Sequence, residues 1–270
     1  MLSISVRIYR FLFGRNIFYK FNKLLFHCSL RGMGILNYEN SHVSGERQFL
    51  RNLLTGLKSP VIFDIGANEG HYTNTILSIN PSAIIYAFEP HPETYKRLTA
   101  NISAPSVRTI NAAVGDEDGV VQLYDYETGT GSSHASLYKE VIEEIHKASS
   151  AEHTVRIMKL DGFVEKESVN NINLLKIDTE GNELKVLSSF MDYIKSGKVD
   201  AIHFEFNEMN VVSRSLFKDF WLLLEGYDFY RLLPNSMLKI QNYNPLLCEL
   251  FAYQNVVALR VGITTKSGCQ

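Results

Sequence analysis

The 270-residue sequence contains no apolar run approaching the roughly 20 residues a membrane-spanning helix needs, so no transmembrane segment is expected. Its three cysteines, Cys28, Cys248 and Cys269, are odd in number, far apart and outside any C-x-x-C or Cys/His cluster. That usage points to a reducing, cytoplasmic compartment and speaks against a zinc site or a disulfide framework. A basic excess is also missing. The net charge of -2 removes the global electrostatic case for a nucleic-acid partner. No repeat, Ser/Pro linker or low-complexity tract divides the chain, whose length suits one large domain with appendages.

One absence is local. No acidic residue precedes Glu39, while Arg7, Arg10, Arg15, Lys20, Lys23 and Arg31 alternate with Ile8, Phe11, Leu12, Ile17, Phe21, Leu24, Leu25 and Phe26. Arg7 and Arg10 interrupt any secretory apolar region, so a signal peptide is not expected. Two readings of residues 1–36 stand. In the preferred one, a pair of amphipathic helices packs on the body of the protein, the usual use of an apolar helical stripe. In the other, these helices lie on an anionic membrane surface, making the chain peripheral to the inner face of the membrane.

Residues 61–70 are the stretch around which the rest of the chain is organised. The apolar, β-branched run Val61-Ile62-Phe63 reaches Asp64, then passes through Gly66, Asn68 and Gly70 into a helical pattern. This reads as strand, tight turn and helix start, with free backbone N–H groups facing a ligand. The glycines allow close approach of that ligand to the main chain. The spacing is D-x-G-x-x-x-G and not G-x-G-x-x-G, so the pyrophosphate fingerprint of a nicotinamide oxidoreductase fails. A second buried strand over residues 83–88 ends at Glu89, about 20 residues past the glycine turn, where a carboxylate accepts both ribose hydroxyls of an adenosine.

Around this unit, Ser44 is expected to cap a helix over residues 49–57, with Glu46 in its first turn or folded across the mouth of the cofactor site. Strands are expected at 107–114, 120–124, 155–160, 174–178 and 201–207, and a closing pair at 228–232 and 256–261, with a long loop over 234–253 between them. Asp116, in a hairpin signal, is placed to touch the adenine, although turn chemistry explains it equally well. Residues 125–153 form a polar, lid-like insertion in which Gly129-Thr130-Gly131-Ser132-Ser133 is the hinge or the cofactor-contacting part. Alternating strands and helices imply a mostly parallel sheet wrapped by helices. The expected organisation is a helical extension over 1–57, a main domain over 58–263 and a frayed tail over 264–270. Lys176, Asp178 and Glu180 bunch three charges at the exit of an apolar strand, where burial is costly unless the charges pair or do chemistry.

Taken together, Ser44-Gly45-Glu46, Phe63-Asp64-Ile65-Gly66-Ala67-Asn68-Glu69-Gly70, Phe88-Glu89-Pro90, Asn111-Ala112-Ala113-Val114-Gly115-Asp116 and Leu175-Lys176-Ile177-Asp178-Thr179-Glu180-Gly181-Asn182-Glu183 resemble the FkbM family of methyltransferases. The Met158-Lys159-Leu160-Asp161-Gly162-Phe163 step adds to the likeness, which covers about residues 40–210. The resemblance implies a Rossmann-like α/β fold of class I: seven strands, mostly parallel with an antiparallel last strand, and helices on both faces. It also implies S-adenosylmethionine as methyl donor and a hydroxyl acceptor on a glycan, lipid-linked saccharide or glycosylated natural product. Such a reaction needs an acceptor oxygen held in line with the methyl group and a base for its proton. Asp178 is the first candidate base, with His203 and Glu205 on the neighbouring strand as alternatives. Asp178, Glu180 and Glu205 are an alternative, less favoured set for a divalent cation. The rival classes are the nicotinamide oxidoreductase and a silent S-adenosylmethionine-binding module.

Overall fold

A computed structural model describes residues 4–127 and 131–263. Eleven strands are present among them: β1 Val61–Ile65, β2 Ile84–Phe88, β3 Val107–Ile110, β4 Ala113–Val114, β5 Gly119–Tyr126, β6 Ser150–Met158, β7 Leu174–Ile177, β8 Ala201–Phe206, β9 Tyr227–Leu233, β10 Ser236–Ile240 and β11 Gln254–Arg260. The helices that frame the chain's first half are α1 Ile4–Phe13, α2 Tyr19–Gly32, α3 Glu46–Leu54, α4 His71–Ile79 and α5 Pro92–Asn101.

Eight strands form the main sheet in the order β10-β9-β11-β8-β7-β1-β2-β3. From β1 the chain steps outward to β2 and β3, then returns to place β7 and β8 on the other side of β1. That reversal between β1 and β7 is a topological switch point, where open α/β sheets bind ligands beyond the carboxyl ends of their strands. The strands beside it are parallel and read as near-continuous apolar runs because helices cover both faces. β11 runs antiparallel between β8 and β9. The seven expected strands are thus joined by an eighth, β10, which makes an antiparallel hairpin with β9 inside the segment expected to be a loop.

Two clusters of buried side chains sandwich the sheet. One gathers Phe63, Phe88, Phe163, Leu175 and Phe204, and the other gathers Phe49, Leu50, Leu54, Ile62 and Ile76. α3 belongs to the second cluster, so it is a structural part of the body although it lies within the first 57 residues. Part of the lid-like insertion is regular as well. β5 and β6 pair antiparallel beside β4 as a small second sheet, and a π-helical turn spans Val141–Ile145. Of the hinge expected at 129–133, Gly129 and Thr130 lie outside the described residues, as do the tail over 264–270 and Cys269.

The preferred packing of the amino-terminal helices is not seen. α1 buries none of its residues, and α2 buries only Leu30. The two helices contact each other instead, through Tyr9, Phe13 and Phe21 and a hydrogen bond from the Tyr9 hydroxyl to Asn22. Both sheet faces are already covered by the two clusters, to which neither helix contributes a residue.

Candidate active site

The turn after β1 and the turn after β7 meet at the switch point. Asp178 N donates to Ile65 O at 2.9 Å, and Gly66 takes φ +81 with its Cα so close to the Asp178 carbonyl that a Cβ would lie 1.7 Å from that oxygen. Gly66 is therefore required by the crossing of two backbones. Gly70, also left-handed, serves packing: a Cβ there would meet Ile102 and Leu98 at 2.9 Å. It lines neither of the two cavities at this end of the sheet. Asn68 holds φ 49, a conformation asparagine tolerates better than most residues, and its N–H donates to Glu89 Oε2 at 3.0 Å.

A cavity of about 460 Å³ opens beyond these strand ends, lined by Gly66, Asn68, Glu89, Ser132, Asp178 and Glu180 among others. Glu89 stands at one side of it. Its second oxygen accepts from His91 N at 2.8 Å, so each oxygen has one backbone donor and keeps acceptor capacity toward a ligand. Burial pushes the Glu89 carboxyl up to about 7, against the pull of those two N–H groups. Ser132 of the insertion lines the cavity as well, and its N–H and hydroxyl both bond to the buried Asp125 carboxylate. Asp125 lies 3.5 Å from His91 Nε2, which tethers the insertion to the start of α5.

A second cavity of about 380 Å³ shares Gly66, Asp178 and Glu205 with the first and reaches Glu46, Asp64 and Lys176. Its chemistry comes from a polar row across the sheet, since Asp64 on β1 is in register with Lys176 on β7, and Lys176 with His203 on β8. Lys176 is 3% exposed, and its Nζ has no hydrogen-bond partner, though it faces Asp178 at 3.4 Å and Glu205 at 3.9 Å. Burial works against its charge, but Asp178, Glu205, Glu46 and Asp64 outweigh it and raise its pKa. Burial raises Asp64 to about 6, opposed by the Thr73 hydroxyl that donates to it at 2.6 Å and by Lys176. Glu46 is raised by burial too, with Lys176 and the Ser44 hydroxyl acting the other way. Burial and then the charge of Asp178 raise Glu205 and Glu180 well above the usual carboxylate range.

His203, an alternative base in the sequence, lies elsewhere. It is fully buried, lines neither cavity, and spends Nδ1 on Tyr72 at 2.9 Å and Nε2 on Asn255 at 2.8 Å. Burial and the nearby Lys176 hold it neutral by lowering its pKa well below the usual value. Asp116 is exposed and outside both cavities; Asn182 reaches that region instead, donating to Val114 O at 3.0 Å. The alternative cation set does not assemble. No group of three His, Cys, Asp or Glu able to hold a metal ion occurs among the described residues, and an ammonium stands beside Asp178 and Glu205.

Several residues that shape these cavities were given no role in the sequence. Glu183 clamps the turn after β7, accepting at 3.0 Å from the N–H groups of Thr179 and Gly181. Leu36, Tyr38 and Tyr253 form part of the larger cavity's wall. Nothing in their local sequence marks them, because Tyr253 arrives from the far end of the chain and meets Leu36 through a 2.7 Å backbone bond.

The donor set suits a ligand with a nucleoside at one end and a zwitterionic amino acid at the other. Glu89 offers acceptors for ribose hydroxyls, Lys176 a buried cation with no hydrogen-bond partner for a carboxylate, and Glu46 and Asp64 partners for an ammonium. A family model described as Methyltransferase FkbM domain matches residues 64–230. The hexuronic acid methyltransferase AglP of Haloferax volcanii is 30% identical over 157 residues, covering 56% of this chain and 59% of that protein. The 31-O-demethyl-FK506 methyltransferase FkbM of Streptomyces tacrolimicus is 28% identical over 170 residues, covering 54% and 65%. The 2-O-methyltransferase NoeI of Sinorhizobium fredii is 23% identical over 137 residues, covering 48% and 56%. The chain thus spans less than two thirds of the length of these curated relatives.

Proposed function

The chain belongs to the FkbM methyltransferase family, and from that premise we propose that it methylates a hydroxyl on a sugar of a glycan, lipid-linked saccharide or glycosylated natural product. The observation that carries this reading is the position of Asp178, which lies where the nucleoside-type and amino-acid-type cavities join. When bound, S-adenosylmethionine supplies a methyl group already activated on sulfur. Glu89 would hold its ribose hydroxyls, Lys176 its carboxylate, and Glu46 and Asp64 its ammonium. Asp178 is about one third exposed, so an acceptor can reach it, and its ion pair with Lys176 anchors the carboxylate. It takes the acceptor's hydroxyl proton as the oxygen attacks. Glu205 is the second candidate for this step because it lines both cavities and carries a raised pKa, closer to that of a base working near neutrality. The names of the relatives, which specify a hexuronic acid, a 31-O position of FK506 and a 2-O position, support an oxygen acceptor.

The test is incubation with labelled S-adenosylmethionine and an extract of glycans and lipid-linked sugars, followed by mass analysis of the methylated product. A methyl ether on a sugar is expected. Cofactor binding by calorimetry without transfer to any glycan would favour the silent module instead. Asp178→Asn should lower turnover by about 10²- to 10⁴-fold, the usual contribution of a positioned base, with cofactor affinity largely retained. Undiminished turnover would remove Asp178 from this role and turn attention to Glu205→Gln.

A further inference from the structure

The amino-terminal helices are the part of the fold that the methyltransferase reading leaves unused. The spacing of Ile4, Ile8, Phe11 and Leu12 makes one apolar stripe on α1, and Ile17, Phe21, Leu24 and Leu25 make another along α2 and the turn before it. All eight are exposed, Phe11 by 74% and Ile17 by 84%. Arg7, Arg10, Arg15, Lys20 and Lys23 flank these stripes, and none has an ion-pair partner among the described residues. No acid precedes Glu39. An occupant of this surface must therefore be apolar and anionic at once. A nucleic acid offers the charge without the apolar layer, and a second copy of the same helices brings five like charges of its own. The boundary of an anionic lipid bilayer offers both.

Length agrees with lying on a membrane and not crossing it. At 1.5 Å per residue, the 10 residues of α1 and 14 of α2 extend about 15 and 21 Å, against a hydrocarbon core of about 30 Å. The place where the helices join the body ties the surface to the site. Ile35, shortly after α2, is fully buried and bridges Gln254, and the next residues of the same segment, Leu36 and Tyr38, wall the larger cavity.

We propose that α1 and α2 dock on an anionic lipid bilayer and hold the mouth of the cavity at its headgroup layer, so that the acceptor is a saccharide carried on a lipid. The docking stands by itself, while the choice of acceptor rests on the methyltransferase reading.

The experiment is flotation of the full chain with vesicles of phosphatidylcholine alone and of equal parts phosphatidylcholine and phosphatidylglycerol. Partition onto the anionic vesicles should exceed that onto neutral ones by tenfold or more, since each basic residue near such a surface multiplies binding about fivefold. The doubles Phe11→Ser/Leu24→Ser and Arg7→Gln/Lys23→Gln should each lose tenfold or more of that partition, with cofactor binding and helical content unchanged. Equal partition onto both vesicle types, or partition indifferent to both doubles, would overturn the docking. So would a dimer in sedimentation that Phe11→Ser/Leu24→Ser dissolves, which would assign the surface to a second copy. Retained vesicle binding with methylation of soluble saccharides only would overturn the lipid-linked acceptor alone. Failed flotation leaves S-adenosylmethionine binding and transfer, measured without vesicles, as a separate test of the methyltransferase.

Discussion

Helices α1 and α3 are close in length, and each carries an apolar stripe. α3 buries Phe49, Leu50, Leu53 and Leu54 against the sheet, whereas α1 buries nothing. Fully burying a side chain of this size contributes about 1.5–3 kcal/mol, so the same pattern stabilises the fold in one place and contributes almost nothing to it in the other. Spacing makes a helix amphipathic. What that face meets depends on which apolar surface the rest of the chain leaves uncovered, and here α3 and α4 cover one sheet face before the extension can.

The largest expected break in this comparison is Phe49→Ala. Phe49 is fully buried beside His203, with ring centroids 5.7 Å apart, so truncation should cost about 3–5 kcal/mol. Urea unfolding checks this, with a lower midpoint and an unchanged slope.

Smaller is the effect of Glu89→Gln, which sharpens the same contrast within the site, because Glu89 too is placed by burial. The neutral amide loses charge-assisted acceptance, and calorimetry should show S-adenosylmethionine binding weakened by about 10- to 100-fold. The sign of the pH dependence follows from the carboxyl at about 7. Below that value it takes up a proton and loses acceptor capacity, so affinity in the unaltered protein should fall from about pH 8 to pH 6, by up to about tenfold per unit below the pKa. Glu89→Gln should show a shallower slope, with Asp64, at about 6, supplying the remainder. An equally steep slope in Glu89→Gln would place the titration elsewhere.

The smallest effect is expected for Phe11→Ser on α1. The exposed ring touches no core, and the change should move the unfolding free energy in water by less than about 0.5 kcal/mol. A loss of about 2 kcal/mol or more in a lipid-free sample, the size that accompanies a lost buried contact, would mean that the helices have a partner in solution, and would erase the contrast with α3.

Much of the candidate site's lining could be read along the chain. The Gly66 turn and Glu89 at the end of β2 depend on short-range spacing, and both line the larger cavity. Asp178 and Glu205, at neighbouring strand ends, were also accessible because apolar strands that finish in charges advertise the site. Gly70 and His203 line neither cavity for a common reason. Each has the right residue type at a plausible strand end or turn, but its direction is set by partners distant in the chain: Leu98 and Ile102 for Gly70, Tyr72 and Asn255 for His203. The segment over 234–253 hid a strand because β10 needs β9 to complete its hydrogen bonds.

What the sequence by itself determined is the strand, turn and helix around Gly66, the family motifs and the cationic, apolar character of the first 36 residues, because periodicity and spacing act locally. Only the tertiary structure decided that Lys176 stands without a hydrogen bond among four carboxylates, that His203 is sealed beneath Phe49 of α3 and Tyr72 of α4, that Tyr253 joins Leu36 at the cavity wall, and that α1 stays uncovered. Each of these depends on which surfaces are brought together and which are already occupied, a matter of packing between segments far apart in the chain.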